Sequence, residues 1–447
     1  MNGAIGNERD GAAGKVLQWR VLIANAWGGN RGDEAMLNTL NRLLKSITGE
    51  VSVSVLPFRN EDLDIDADMR VERSRIGEYW YAEIPRGMHS ALNARVPRKL
   101  ARIVTTTLHR AGSLADESLV RPYDLILSAP QGPTLGDMYS AKERIVEPLR
   151  LAQRVGKPYM ILAVSAGPFE ASTASDGLVQ SVLQGASRIV VREEVSLGHL
   201  RQKFPSLANV EAAIDIVYAS RWSLTGKPEP ERRAYEDFMA DIGGDAVGVC
   251  ISMTPARKPT NPFDREAYLR QFCALMDHVL SRSAGRLLLF PHLAFDMPAL
   301  EQIRAAVSQP QRVSILPPNL DSDFQRDAIS RTGFFISSRY HPTIFAIQAG
   351  VPFMCIKNQF KVEGMMEKIG LGAIPSCWQD ESLDRFKDTF DACWRERDGI
   401  RSQVRVASEQ AGSIASIYRE VLARAHREWL GRMTDGDMTD VRAVDAA

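Results

Sequence analysis

This sequence of 447 residues has few cysteines, no excess of either charge and no long apolar run. The five cysteines are odd in number and include no close C-x-x-C pair, so neither a disulfide framework nor a zinc site is indicated. Lysine plus arginine equals aspartate plus glutamate at 55 each, which argues against nucleic acid as a partner. No apolar run approaches the length of a membrane span. We therefore expect a cytoplasmic protein with reduced thiols that is neither secreted nor transmembrane.

The length of the chain exceeds the usual size of one hydrophobic core, so two domains are expected. A stretch with two prolines among charged residues, 221–236, predicts the linker between them. The predicted divisions are a disordered tail at 1–15, an N-terminal α/β domain at 16–225, a C-terminal α/β domain at 240–400, helices that pack back at 401–433 and a disordered tail at 434–447.

The stretch that follows residue 333 carries the strongest local pattern. The apolar run 334–336 predicts a strand, and the polar residues after it predict a loop. Pro342 suits the first turn of the next helix, where its missing N–H costs nothing. Gly350 is a suitable residue to end that helix.

Cationic side chains cluster around this helix and the strand that comes next. Arg339 and His341 follow the first strand, whereas Lys357 and Lys361 follow the second. In parallel α/β sheets such loops lie beyond the carboxyl ends of the strands, where ligands bind. We therefore expect an anion site in one cleft, of the kind that holds a phosphate ester.

A glycine-rich loop lies near the start of the chain. The run 16–25 predicts the first strand, and the loop leads into a helix whose apolar residues hold helical spacing. The loop is neither a G-x-G-x-x-G nor a P-loop. Two interpretations of Asp33 stay open, a cap of this helix or a residue that contacts a ligand.

Between 95 and 110 the sequence is basic and amphipathic, with no acidic residue. Such a stretch is compatible with a helix that rests on an anionic membrane surface. It is also compatible with a helix that packs its apolar face inward and leaves its cations in solvent, as apolar helix faces usually do. Both interpretations stay open.

Several motifs in order resemble those of the polysaccharide pyruvyl transferase family. The resemblance covers most of the chain, although Asn358 stands where members often have a tyrosine and Gln131 where a glycine is common. The matching positions are Asn30 through Ala35 after Gly28 and Gly29; Gly132, Leu135 and Asp137; Val191, Arg192, Glu193 and Ser196; Ser337 or Ser338, Arg339 and His341; Gly350, Val351 and Pro352; and Lys361 with Val362.

The resemblance implies a GT-B-like fold, in which two Rossmann-like domains enclose a cleft, and the transfer of a pyruvyl group from phosphoenolpyruvate onto a sugar to give a cyclic ketal. His341 suits proton transfer because imidazole is the commonest general acid and base in enzymes. Asp215 receives only a structural role. The predicted residues are Arg192 and His341 for catalysis; Arg192, Arg339, Tyr340, His341 and Lys361 for phosphoenolpyruvate; and Gly28, Asn30, Gly32, Asp33, Gly132 and His292 for the acceptor.

The implied partners are phosphoenolpyruvate and a sugar acceptor, either soluble or lipid-linked, with no metal and no further cofactor. A lipid-linked acceptor would place this cytoplasmic protein peripherally at the inner face of the membrane. Two other functions stay open. A nucleotide-sugar glycosyltransferase would add an acidic residue for the ribose, such as Glu363 or Glu367, and a binding protein would lack catalysis.

Overall fold

The computed structural model describes residues 17–57, 65, 68–72, 117–130, 133–136, 142–169, 176–254, 263–358 and 360–435. Several of the sequence predictions lie outside these ranges. They are the tail 1–15, the basic stretch 95–110, Gly132, Asp137 and, except for its first two residues, the tail 434–447.

The first half of the chain forms an eight-stranded parallel sheet. Its strands are β1 (Trp19–Ala26), β2 (Val51–Pro57), β3 (Arg70–Val71), β4 (Leu125–Ser128), β5 (Pro133–Leu135), β6 (Tyr159–Ala166), β7 (Arg188–Val191) and β8 (Val210–Ala212). The order is β3-β2-β1-β4-β6-β7-β8, with β5 paired to β6 outside this path. Every residue of β6 is buried, as expected for an apolar strand covered on both faces.

The helices of this half follow the strands. They are α1 (Arg31–Ile47), α2 (Glu117–Val120), α3 (Lys142–Arg154), α4 (Asp176–Gly185) and α5 (Glu194–Lys203). A short 3-10 helix, Ile216–Ala219, comes after β8.

The second half forms a six-stranded parallel sheet in the order β11-β10-β9-β12-β13-β14. Its strands are β9 (Val247–Cys250), β10 (Leu287–Leu289), β11 (Val313–Ile315), β12 (Phe334–Ser337), β13 (Phe353–Lys357) and β14 (Ser376–Trp378). Its helices are α6 (Glu229–Ile242), α7 (Arg265–Arg282), α8 (Met297–Ala306), α9 (Ser322–Ser330), α10 (Tyr340–Ala349), α11 (Phe360–Lys368) and α12 (Leu383–Arg395). The reversal of strand order beside β9 is the position where ligands bind in open α/β sheets.

The predicted linker at 221–236 is wrong in its second half, because α6 begins there. Pro230 lies in the first turn of α6, where proline is compatible with a helix. Tyr235, Met239 and Ile242 are buried at helical spacing. The charged residues that suggested a linker are therefore the solvent-facing side of a helix.

The last helix, α13 (Arg397–Asp435), is 39 residues long and reaches both halves of the molecule. The hydroxyl of Tyr418 donates a hydrogen bond to the carbonyl of Ile214 in the first half, at 2.6 Å. Further along, the rings of Trp429 and Trp19 lie 6.3 Å apart, and both are buried. Among the described helices, none combines the length and the apolar character that crossing a membrane requires.

The two sheets meet through the loops at the carboxyl ends of their strands. Asn30, which follows β1, forms an isolated antiparallel bridge with Leu293, which follows β10. The N–H of Arg31 also donates to the carbonyl of His292, at 3.3 Å. These contacts bring the glycine loop of the first half against the second half.

Candidate active site between the two sheets

His341 lies in the first turn of α10, directly after β12. Ser337 Oγ accepts a hydrogen bond from the N–H of Arg339 at 3.1 Å, which turns the chain between strand and helix. At the other end of α10, Gly350 adopts a left-handed conformation with φ of 73°, so the predicted helix end is confirmed. Only 7% of His341 is exposed. Strand, turn and helix together thus bury the imidazole in the region where the sheets meet.

The two nitrogens of the His341 ring face different neighbours. Nε2 lies 3.5 Å from Oδ2 of Asp215, which is long for a hydrogen bond but close enough for a charge contact. On the other side, the ring packs on Gly32, and a Cβ added to Gly32 would overlap the ring, with Nδ1 as its nearest atom. Glycine is therefore required at this position by the histidine of the other half.

Asp215 joins His341 to a second buried cation, Arg192. Arg192 Nη1 donates to Asp215 Oδ2 at 2.9 Å, and Arg192 Nε donates to Ser165 Oγ at 2.8 Å. Asp215 Oδ1 accepts from the N–H of Val217 at 3.0 Å. Burial opposes ionisation of Asp215, but His341 and Arg192 outweigh it and lower the pKa of this carboxyl to about 2. Asp215 is therefore a permanent anion at neutral pH.

Arg192 and Lys361 approach the ring of Tyr340. The guanidinium carbon of Arg192 lies 5.2 Å from the ring centroid, and Lys361 Nζ lies 4.8 Å from it. Arg192 is 1% exposed, and its Nη2 has no hydrogen-bond partner within the described part of the chain. Burial raises the pKa of the Tyr340 hydroxyl well above its ordinary value, so this ring stays neutral. Two cations from different halves thus flank one aromatic ring.

Asp33 adds a carboxyl group to the same region. Asn30 caps α1, because its side-chain oxygen accepts from the N–H of Gly32 at 2.8 Å. Glu34 accepts two hydrogen bonds from Arg31, at 2.8 and 2.9 Å. Asp33 is 9% exposed, and burial raises the pKa of its carboxyl despite the nearby positive charges of His341, Arg192 and Lys361.

Arg339 and His292 border this cluster, and most of their polar groups already bind other residues of the chain. Arg339 Nη2 forms an ion pair with Asp296, and Arg339 Nε donates to the carbonyl of Ile251 at 3.0 Å. The ring of His292 stacks on that of His341 with centroids 6.3 Å apart, and its Nδ1 lies 2.9 Å from Gln325 Oε1. Burial, together with the charge of Arg339, lowers the pKa of His292 well below its ordinary value. His292 is therefore a neutral ring that supports His341.

The structure brings together most, but not all, of the residues that the sequence singled out. Arg192, Tyr340, His341, Lys361, Gly32 and Asp33 lie together. Arg339 and His292 adjoin them through Asp296 and the stacked rings, Gly28 is buried in the loop, and the Asn30 side chain caps α1. Lys357 faces elsewhere, since it pairs with Glu363 at 2.7 Å and lies 4.7 Å from the centre of the Trp378 ring.

Sequence reasoning missed the part played by Asp215 and Ser165. Ser165 lies near the end of β6, and Asp215 follows β8. Both side chains contact Arg192. An acidic residue in the run Ala-Ile-Asp-Ile-Val was the available signal, because an aspartate among apolar residues needs a buried partner.

Within the described ranges, no group of three or more histidine, cysteine, aspartate or glutamate side chains is arranged to hold a metal ion. The cysteine sulfurs there are free, and four of the five cysteines are buried.

The fold is of the GT-B class, as predicted. The structure of TcCGT1 in complex with UDP has a TM-score of 0.53 and 14% identity, with 92% of this chain and 100% of that chain covered. A putative UDP-N-acetylglucosamine 2-epimerase from Listeria monocytogenes has a TM-score of 0.56 and 11% identity over 92% and 97%. A glycosyltransferase from Rickettsia africae ESF-5 has a TM-score of 0.52 and 10% identity over 94% and 100%. At these identities the likeness concerns the fold alone.

The family model described as polysaccharide pyruvyl transferase matches residues 30–359, a range that begins in the glycine loop and ends after β13. The chain therefore belongs to the polysaccharide pyruvyl transferase family, and it is a transferase. A comparison with curated proteins finds no matching sequence.

Proposed function

We propose that the protein transfers the pyruvyl group of phosphoenolpyruvate to a sugar of a cell-surface polysaccharide, a glycolipid or its lipid-linked precursor, forming a pyruvate ketal. The observation that carries the proposal is the meeting of Arg192 and Lys361 at Tyr340, next to His341. The membership of the chain in the pyruvyl transferase family supports it further.

The donor is an anion with two recognisable groups, a phosphate and a carboxylate. Arginine and lysine are the side chains that bind such groups by charge-assisted hydrogen bonds. Arg192 keeps Nη2 without a partner among the described residues, although its Nη1 and Nε are held by Asp215 and Ser165. A ligand oxygen at Nη2 would satisfy this buried donor, which otherwise costs free energy.

His341 is the group that we assign to proton transfer. Ketal formation removes a proton from each of two sugar hydroxyls, so a base must lie near the reacting carbon. Asp215 faces Nε2 of this ring, as a carboxylate does when it orients a catalytic histidine. Nδ1, on the loop side, is then the nitrogen that exchanges protons with substrate.

Access to the cluster requires movement. Arg192, Tyr340 and His341 are all buried, and Tyr340 covers Arg192. A substrate can reach them only after Tyr340 turns aside or the loops of the two halves separate. Such closure around a ligand excludes water from the reacting groups.

Thermal-shift titration with phosphoenolpyruvate tests the donor. We expect phosphoenolpyruvate to raise the melting temperature and UDP-sugars to leave it unchanged, since only a ligand of the native state stabilises it. Stabilisation by UDP-sugars alone would instead support a nucleotide-sugar glycosyltransferase. Lys361→Ala should weaken the response to phosphoenolpyruvate by about tenfold in apparent affinity, the loss of one charge-assisted contact. Lys357→Ala is the matched control, because Lys357 is paired with Glu363 outside the cluster.

The acceptor needs a separate test. If it is lipid-linked, the basic stretch 95–110 provides the membrane contact, where each cation near an anionic surface adds about 1 kcal/mol. Wild-type protein should then sediment with anionic liposomes in a salt-sensitive way, and reversing Arg98, Lys99 and Arg102 to Glu should abolish this. Protein that ignores such liposomes at low salt would indicate a soluble acceptor. Mass spectrometry of surface glycans from a deletion strain would identify the sugar that loses its ketal.

A further inference from the structure

Asp33 differs from the other buried carboxylates around the site. Asp215 is held by Arg192 and a backbone N–H, and Asp296 is held by Arg339 and the N–H groups of His292 and Leu293. The side chain of Asp33 has no hydrogen bond or ion pair within the described ranges, although only 9% of the residue is exposed to solvent. Most buried polar side chains have a hydrogen-bond partner within the fold, so a structural role does not explain Asp33.

The position of Asp33 is set by the contact between the two halves. Gly32, its neighbour in α1, packs directly on the ring of His341. The titratable groups whose charges act on Asp33 are His341, Arg192, Lys361 and Asp215, which come from both halves. Asp33 thus belongs to the same cluster as His341, and it follows directly the residue on which the Nδ1 side of the ring packs.

We propose that Asp33 is a catalytic acid, which protonates the methylene carbon of phosphoenolpyruvate while His341 takes the proton of the attacking hydroxyl. This inference rests on the proposed function and assigns Asp33 a chemical step, where the sequence indicated only contact with the acceptor. A carboxyl group and an imidazole in one site suit a reaction that needs an acid and a base.

The proton transfers balance over one turnover. The π pair of the donor forms a C–H bond with the proton of Asp33, and the first sugar hydroxyl forms a C–O bond at the adjacent carbon as its proton passes to His341. The second hydroxyl then forms its C–O bond at that carbon as its proton passes to Asp33. The bond from the carbon to the phosphate oxygen breaks, the electron pair leaves with phosphate, and phosphate accepts the proton from His341. Both side chains return to their starting states.

Burial favours the protonated form of Asp33. Removal from water raises the pKa of the Asp33 carboxyl, whereas His341, Arg192 and Lys361 act in the opposite direction. Burial is the largest of these effects. Hydrogen bonds to the ionised carboxylate would lower the pKa of Asp33, and none is present among the described residues.

The experiment compares Asp33→Asn with Glu34→Gln in the purified full-length protein. Asp33→Asn should lower kcat for ketal formation by about a hundredfold or more, as expected for a lost general acid. Its affinity for phosphoenolpyruvate should stay within about threefold and its melting temperature should not fall, because no hydrogen bond of the native state is lost. Glu34→Gln, which alters a neighbouring buried carboxylate paired with Arg31, should keep kcat within about threefold even if it lowers stability.

The pH dependence of kcat separates a chemical role from a positional one. An acid must be protonated to act, so kcat of the wild type should fall as pH rises through the pKa of Asp33, and Asp33→Asn should lack this fall. Asp33→Asn with near-normal kcat, with an unchanged alkaline limb or with a strongly reduced melting temperature would overturn the inference. Failure of the wild type to form any ketal from phosphoenolpyruvate would overturn the proposed function, and this inference with it.

Discussion

The two sides of the His341 ring are built in opposite ways. On the Nε2 side, Asp215 is fully buried and satisfied by Arg192 and by the N–H of Val217. On the Nδ1 side, the ring packs on Gly32. The neighbour of Gly32 in α1, Asp33, has a carboxyl group with no hydrogen bond or ion pair among the described residues. The hydrogen bonds of Asp215 hold its carboxylate in place, whereas the carboxyl group of Asp33 remains available to a substrate. The comparison therefore assigns position to the Asp215 side and chemistry to the Asp33 side.

The same contrast appears in how the two carboxyl groups ionise. The pKa of Asp215 is lowered to about 2, whereas the pKa of Asp33 is raised by burial. A lowered pKa stabilises the fold at pH values above the ordinary pKa, and a raised one destabilises the fold there. Asp215 thus contributes stability at neutral pH, and Asp33 reduces it.

The largest effect on stability is expected for Asp215→Asn. The change removes the nearer of two carboxylates that pair with the buried Arg192, and Glu193 Oε2 remains at 3.4 Å from its Nε. Removing one partner of a buried ion pair typically costs about 3–5 kcal/mol in the free energy of unfolding. Urea unfolding at neutral pH would measure this loss. The wild type should also lose stability as pH falls from the ordinary value of 3.8 through about 2, and the variant should show less of this loss. Equal stability of the two proteins at neutral pH would mean that the Nε2 side does not hold the site together.

For activity, the largest effect is expected for His341→Gln. Glutamine keeps polar atoms near Asp215 but cannot transfer protons, so kcat should fall by about a hundredfold or more. The apparent affinity for phosphoenolpyruvate should change little, because Arg192 and Lys361 remain. Steady-state kinetics together with calorimetric binding would separate the two quantities. Weakened binding with unchanged kcat would make His341 a phosphate ligand rather than a base.

A smaller effect on stability is expected for Gly32→Ala. The added Cβ overlaps the ring of His341, and overpacking of this kind costs about 1–3 kcal/mol. Ketal formation should fall as well, because the ring must move away from its place beside Asp215. Gly49→Ala is the matched control, since nothing lies within 4 Å of a Cβ at that position. Wild-type activity in Gly32→Ala would show that the loop does not set the position of the ring.

The sequence predicted the elements that carry the site and most of the residues in it. The apolar run before Arg339, the proline in the first helical turn and Gly350 at its end correspond to β12 and α10. The charged residues at 221–236 led to the wrong prediction of a linker in the second half of that stretch. There α6 exposes a charged face while it buries Tyr235 and Met239.

Partners that are far apart in the chain could not be predicted from the sequence. Within the second half, Arg339 is neutralised by Asp296, which is 43 positions earlier in the chain. Asp215 meets His341 across the two halves. No local pattern reports such contacts, because they depend on how the folded elements pack. For the same reason, the sequence could not show that Asp33 lacks a partner among the described residues.

The protonation of the His341 ring tests the central claim most directly. Nitrogen NMR of labelled imidazole side chains, assigned by the signal missing in His341→Gln, distinguishes the two neutral forms of the ring. In alkaline buffer the proton should be on Nε2, facing Asp215, with Nδ1 unprotonated on the side of Gly32 and Asp33, and Asp215→Asn should weaken this preference. A neutral ring that carries its proton on Nδ1 in the wild type would contradict the account.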